Sequence, residues 1–336
     1  LIYRDRPEHS TVQRLAKNSA VPIVLNLFNR AVDFAFMALM LRILGPSNAG
    51  DYYTAGTIFI WFNTFTNFGL NTYLTREVAR DRARVRRYFL NTTLIRLVLG
   101  LVGVPLLLSF IGLRQTVVAS LTSPASTQAM WAIVLLYVGL VPTSISTGLT
   151  ALFYAFEKAE YPAVITSVST LTKVSIQTLV LVVGWGVVGL AGSTIFINII
   201  TLILLSVLAW RLIPELRRAE GQEIRLRSAE ASRLRWEMVR ASWPLMVNEL
   251  LAMLFFKVDI SLMEPILGSE AVGLYSIGYK FLDALMVVPS MFTLALFPII
   301  SRQAAGDRDA LVRFYRLGTK ILIILVLPAV LIATLA

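Results

Sequence analysis

Four polar residues lie inside the first long apolar run at spacings that place them on one helical face: Asn26, Asn29, Arg30 and Asp33 follow i, i+3, i+4, i+7. A second run carries Asn63, Asn67 and Asn71 at steps of four, and a fifth carries Thr166, Thr170, Lys173 and Gln177 along one stripe. Later runs add Asn248, Glu249, Lys257 and Asp259, then Lys280 with Asp283. Guanidinium and ammonium groups among amides suit an anionic head such as a phosphate, and carboxylates suit a proton or a cation. A charge at the centre of a membrane helix costs up to about 3 kcal/mol, so such groups face protein or a water-filled cavity. Arg30 with Asp33, and Lys280 with Asp283, are three apart, which leaves neutralising ion pairs as the competing reading. Lys173 has no acid in its own run, which favours an anionic ligand. Lys257 and Asp259 cannot share a face of a regular helix, so the two diverge or the helix is broken there. Arg96, near the basic end of the third run, reads as snorkelling toward the headgroups.

The elements that carry these residues are too apolar for a soluble domain. Of 336 residues 57% are hydrophobic and only 15% charged, with a mean hydropathy of +0.72. A hydrocarbon core of roughly 30 Å takes about 20 helical residues to cross. Nine runs reach that length: 19–41, 52–73, 89–111, 129–153, 163–183, 187–210, 241–263, 271–298 and 317–335. The expected fold class is an all-α polytopic membrane protein. Arginine fills every second connector: Arg76, Arg80, Arg82, Arg84, Arg86 and Arg87 follow the second run, whereas Arg114 is the one basic residue between the third and fourth. By the positive-inside rule the N-terminus is cytoplasmic. The net charge of +11 therefore reports membrane topology rather than nucleic-acid binding. Segments 80–88 and 211–240 have the composition of basic helices lying on anionic headgroups, and equally that of solvated connectors. No small-residue cleavage site follows the first run, so it is retained as a helix. The chain begins at Leu1 and ends at Ala336 inside an apolar run, which suggests a piece of a longer protein.

A repeat runs through this pattern. Ile43, Leu44, Gly45, then Gly50 and Tyr52, recur as Ile266, Leu267, Gly268, then Gly273 and Tyr275, at an offset of 223 residues (268 − 45). The same offset aligns Ser19 with Ser242 and Asn26 with Glu249. Six runs separate the copies, so both enter the membrane from the same side, as in a parallel repeat about an axis along the membrane normal. The expected organisation is a tail at 1–18, a first lobe of six spans at 19–210, a basic connector at 211–240 and part of a second lobe at 241–336.

Other motifs carry no chemistry. Gly184, Gly186 and Gly189 spell GxGxxG but occupy a turn between two apolar runs, with no strand before them. There is no Walker A sequence, no cysteine, and a single histidine, His9, in the charged tail. No catalytic constellation, metal site or cofactor is expected. Asn91, Thr92 and Thr93 form a glycosylation sequon by spelling only, at a cytoplasmic helix end.

Several short stretches resemble a known family. Arg42-Ile43-Leu44-Gly45-Pro46, Gly50-Asp51-Tyr52, Phe68-Gly69-Leu70, Thr75-Arg76-Glu77-Val78-Ala79 and Tyr154-Ala155-Phe156-Glu157-Lys158-Ala159-Glu160-Tyr161 are similar to prokaryotic polysaccharide-export flippases. These belong to the multidrug/oligosaccharidyl-lipid/polysaccharide (MOP) superfamily, which also holds the MATE transporters. The resemblance implies two six-helix lobes around a central cavity, alternating access, and a lipid-linked oligosaccharide moved between leaflets of a prokaryotic cytoplasmic membrane. It implies charged cavity residues on the first and seventh spans, where Arg30, Asp33, Lys257 and Asp259 stand. The expected substrate contacts are Asn26, Arg30, Asn63, Asn67, Lys173, Gln177, Lys257 and Lys280. Asp33, Glu249 and Asp259 are the candidates for coupling to a proton or Na⁺. A multidrug antiporter of the same superfamily is the nearest alternative; a membrane-embedded glycan polymerase or ligase is more distant, because no large outer loop is present.

Overall fold

In the computed structural model, residues 8–118, 126–217 and 229–285 are described, together with single helical positions at 316, 319, 320, 323, 324 and 327. The described residues form helices throughout, with no strand among them. They run α1 (Glu8–Asn67), α2 (Leu70–Arg80), α3 (Val85–Leu113), α4 (Thr127–Val138), α5 (Leu140–Ala155), α6 (Glu160–Val183), α7 (Gly186–Leu212) and α8 (Ala229–Leu285). Four helical segments are long and apolar enough to cross a membrane, and a fifth if α4 and α5, bent by 42°, make one span. In lipid every backbone amide must be satisfied within the chain, and a helix does this residue by residue.

The connector expected at 42–51 does not exist. Helix α1 passes from the first span to the second with one interruption, at Gly45 (φ 77, ψ 167), and Pro46 opens the new segment, where its missing N–H costs nothing. The segment Val24–Arg80 is 57 residues long, roughly 85 Å at helical rise, enough to cross twice. Helix α8 repeats the device at Gly268 (φ 83, ψ 171). This backbone region is essentially glycine's alone, so the two aligned glycines are the same structural part used twice. Gly50 and Gly273 then pack on one another reciprocally. A Cβ at Gly50 would overlap the Ser269 carbonyl, and one at Gly273 would overlap the Pro46 carbonyl. Positions 46 and 269 are themselves separated by the repeat offset, so the two copies meet like against like, as across a two-fold axis.

The other boundaries follow local chemistry. The second span ends where Phe68 (φ 52) and Gly69 (φ 68) turn left-handed, which separates Asn67 from α2. Residues 80–88 are not one surface helix: Asp81 caps a short 3₁₀ turn at Arg82–Arg84 by accepting from the Ala83 amide, and α3 starts at Val85. Of the basic segment 211–240, the part from Ala229 onward is already α8, continuous with the seventh span, and residues 218–228 lie outside the described residues. The fourth span bends at Gly139, three residues before Pro142, and the Gly139 carbonyl accepts from Asn198 and Thr143. Gly184 (φ 84) and Gly186 (φ 60) make the turn between α6 and α7, so the GxGxxG glycines serve geometry. The later part of the eighth run, and all of the ninth except residues 319, 320, 323, 324 and 327, lie outside the described residues.

Helix α6 packs on α1 and α7, α4 on α1 and α7, and α5 on α2 and α7. The largest buried cluster, including Leu74, Val85, Leu152, Phe153, Leu205 and Ile213, ties these helices at the end bearing the arginine-rich connectors. Outward faces stay apolar: Leu101 and Val182 are 73% exposed and Phe255 82%. Exposed tryptophans mark both ends, Trp131 and Trp185 at the arginine-poor end and Trp210, Trp236 and Trp243 at the arginine-rich one, as membrane interfaces require. The chain is a multi-pass membrane protein. By internal contacts it forms two units, Leu1–Ser276 and Ile277–Ala336. In the second, helix α8 continues to Leu285 and carries Lys280 and Asp283, both partly buried.

Candidate functional site

The predicted polar face of the first span forms, with a partner that a scan within each span cannot reveal. Lys173 Nζ of α6 lies 2.5 Å from Asp33 Oδ1, each side chain about a third exposed (31% and 32%). Lys173 has no acid in its own run, and packing of α6 on α1 supplies one from another helix. One turn from Asp33, Arg30 Nε donates to Asn26 Oδ1 at 3.1 Å. Arg30 with Asn26, and Asp33 with Lys173, are thus polar contacts on adjacent turns of α1. Asn29 instead points inward and is buried.

Gln177 stands apart from these contacts. It is 1% exposed and its amide donates to Tyr52 Oη, Thr194 Oγ1 and the Leu190 carbonyl, which welds α1, α6 and α7. That is interhelical glue of the kind a single polar stripe can always be. Asn63 and Asn67 remain on α1, half-buried, while the turn at Phe68 and Gly69 sends Asn71 onto α2.

Asn67 and Asn71 each take a charged partner. Asn67 Nδ2 donates to Glu249 Oε2 at 3.2 Å, and Asn71 Oδ1 accepts from Arg96 Nη2 at 2.7 Å. Arg96 also donates to the Ser144 carbonyl at 3.3 Å and is 1% exposed. The snorkelling expectation is therefore overturned. Gly148 explains the burial, since any Cβ there would collide with the Arg96 guanidinium; the glycine opens the slot that the arginine fills. Asn91 is likewise fully buried, bonded to the Arg87 carbonyl and to Arg235, so its sequon is inaccessible.

Lys257 and Asp259 diverge on a helix that stays intact between Ala229 and Gly268. Lys257 Nζ turns to Tyr53 of the second span, 5.8 Å from the ring centroid, and Asp259 Oδ2 accepts from Tyr275 Oη at 2.8 Å. The aligned positions Asn26 and Glu249 are thus both polar contacts, one inside the first span and one between the two repeats.

The most deeply buried ion pair among the described residues was not singled out by sequence. Arg114, at the end of α3, makes bonds of 2.9 to 3.2 Å through Nη2 and Nε to both carboxylate oxygens of Glu264 in α8, with side chains 9% and 10% exposed. A cavity of about 470 Å³ adjoins it, lined by Thr57, Trp61 and Phe62 of α1, Phe110 of α3, and Ile260 and Ser261 of α8. Two signals were present: Arg114 is the lone basic residue of its connector, and Glu264 is an acid one turn before Gly268 in an apolar stretch.

A helical membrane protein built from parallel repeats, with charges held inside its spans, is the architecture of secondary transporters. The sequence profile described as "Polysaccharide biosynthesis protein" matches residues 15–303, and the chain belongs to that family. No curated protein matches it. Among solved structures it is similar to an inward-facing multidrug resistance MATE family transporter of the MOP superfamily, at 16% identity and a TM-score of 0.63, over 93% of this chain and 72% of that one. It is also similar to the MATE multidrug transporter DinF-BH in complex with R6G, at 16% identity and 0.58, over 94% and 71%. A third is a MOP superfamily transporter from Pyrococcus furiosus described as having a binding pocket of reversed polarity, at 15% and 0.54, over 95% and 70%. The fold is that of the MOP transporters.

Proposed function

We propose that this membrane protein is a flippase, moving a polyprenyl-pyrophosphate-linked oligosaccharide from the cytoplasmic to the outer leaflet of a prokaryotic inner membrane by alternating access. The N-terminus and the arginine-rich end face the cytoplasm, and residues 19–210 and 241–336 contribute to two lobes, joined by a connector that meets anionic headgroups. The observation that carries the reading is the Lys173–Asp33 pair, each side chain about a third exposed, with Arg30 one turn from Asp33 on the same helix. Such a pair accommodates a diphosphate by exchanging Lys173 from Asp33 to the ligand. Lys257 in the first unit and Lys280 in the second are each further basic candidates, and Asn26, Asn63 and Asn67 offer amides to sugar hydroxyls. Gln177 drops out of this set because its donors are spent inside the fold. Coupling to a proton or Na⁺ through Asp33, Glu249 or Asp259 biases one access state.

Native mass spectrometry of the whole natural protein with a polyprenyl-pyrophosphate oligosaccharide tests this, beside an Arg30→Gln, Lys173→Gln variant. Binding that the variant loses supports the anionic-head site. Equal binding by both, or by neither, overturns it and brings forward a multidrug antiporter. That second reading draws on Glu249, a half-buried acid at the meeting of the two repeats, and on drug-transporting proteins of the same fold. It would show as drug efflux that depends on the Glu249 carboxylate.

A further inference from the structure

We propose that the arginine-poor end is a gate, latched by the buried Arg114–Glu264 pair and seated on the Gly50–Gly273 seam. The proposal rests on the alternating-access reading above. The pair joins α3 of the first repeat to α8 of the second, so separating the repeats at this end must break it. Asp51 adds a second bridge of the same sense: its carboxylate accepts from Ser126, the N-cap of α4, at 2.5 Å, and from Ser269 beyond the Gly268 break. All three contacts, the ion pair, the Asp51 bridge and the glycine seam, lie at one end and connect the two copies of the repeat.

Three properties distinguish this closure from ordinary packing. A paired Arg and Glu in a low-dielectric setting are tolerable, and so are both when fully hydrated, but a half-separated dry pair is costly. The latch therefore has two favourable arrangements, shut or wet. The seam beneath has no side chains to disengage, because Gly50 and Gly273 bring backbone against backbone; the helices can part without unpicking interdigitated groups. Beneath the latch lies space rather than packed core, the 470 Å³ cavity bounded by Thr57, Trp61 and Ser261. Opening would join that chamber to the arginine-poor side.

These 336 residues contain no cysteine, so within them Thr57→Cys, buried in the cavity wall at 3% exposure, gives a single reporter thiol. Its labelling by a membrane-impermeant maleimide is followed in oriented vesicles, with reagent applied to the arginine-poor side. Arg114→Gln or Glu264→Gln is expected to accelerate labelling at least about tenfold, the equivalent of roughly 1.4 kcal/mol of closure. The charge swap Arg114→Glu with Glu264→Arg is expected to return it toward the slow rate, and Asp51→Asn to give a smaller acceleration. Unchanged labelling in both single variants, or a swap as fast as the singles, overturns the latch. If a single variant fails to fold, Asp51→Asn and the swap still decide between these outcomes. Labelling is read without substrate, so its failure is separate from a failure of lipid-linked oligosaccharide binding, which would remove the flippase reading and leave the gate standing.

Discussion

Two ion pairs between helices are close in chemistry and opposite in setting. Arg114 and Glu264 are about a tenth exposed and joined through both carboxylate oxygens, whereas Lys173 and Asp33 meet through one oxygen and are about a third exposed. A guanidinium offers a planar fork that fits a carboxylate in one geometry, and an ammonium is a compact charge that reorients easily. On the readings proposed above, the first pair stays in place until water enters and the second trades partners. Burial and bond geometry, more than the presence of charge, are what distinguish the two pairs.

The comparison breaks most visibly at Glu264. Glu264→Ala strands a buried guanidinium, and the expected loss of stability is about 3–5 kcal/mol, read as a lowered midpoint of thermal unfolding in detergent. Replacing both partners with apolar residues of similar volume, Arg114→Met with Glu264→Leu, is expected to recover most of that loss, because no charge is then left unpaired. A double variant as unstable as the single one would show that the pair contributes through shape rather than charge.

The glycine seam comes next in size. Gly50→Ala and Gly273→Ala each push a methyl group into the opposing carbonyl, and overpacking of this kind costs about 1–3 kcal/mol. The reciprocal contact predicts similar losses at the two sites. Gly56→Ala on the same helix, where a Cβ meets nothing within 4 Å, is expected to gain roughly 0.5–1 kcal/mol from helix propensity. Thermal unfolding of the three variants side by side checks the symmetry and the control together; clearly unequal losses at 50 and 273 would deny the two-fold relation.

Much of this was legible in the sequence, for identifiable reasons. Span positions follow from long apolar runs, and the repeat from the aligned Ile-Leu-Gly and Gly-x-Tyr signatures, whose glycines adopt the same backbone break. The face carrying Asn26, Arg30 and Asp33 was readable because helical periodicity is local. What periodicity cannot carry is the partner from another helix. Lys173 finds Asp33, Arg114 finds Glu264 and Asn67 finds Glu249 across separations of 140, 150 and 182 residues. Arg96 failed for a related reason: snorkelling is the default for an arginine near a span end, and only the slot left by Gly148 on a neighbouring helix reverses it. The loop expected at 42–51 failed because a glycine in a region closed to other residues turns a helix in a single step, where polarity suggested ten residues of connector.

The smallest stability effect is expected at the other pair, and there it is the more instructive. Lys173→Gln removes a partner from a pair that is about a third exposed, so the loss should stay near the 0–1 kcal/mol of exposed pairs. If the pair serves ligand exchange, the same substitution should weaken binding of an isolated polyprenyl pyrophosphate by about tenfold or more, roughly 1.4 kcal/mol, while leaving the unfolding midpoint almost unchanged. Asp33→Asn frees Lys173 from its protein partner and is expected to strengthen that binding, since the ligand no longer competes with a carboxylate. Opposite signs for the two substitutions would be hard to obtain from a purely structural pair, which should lose stability either way and leave affinity for the diphosphate untouched.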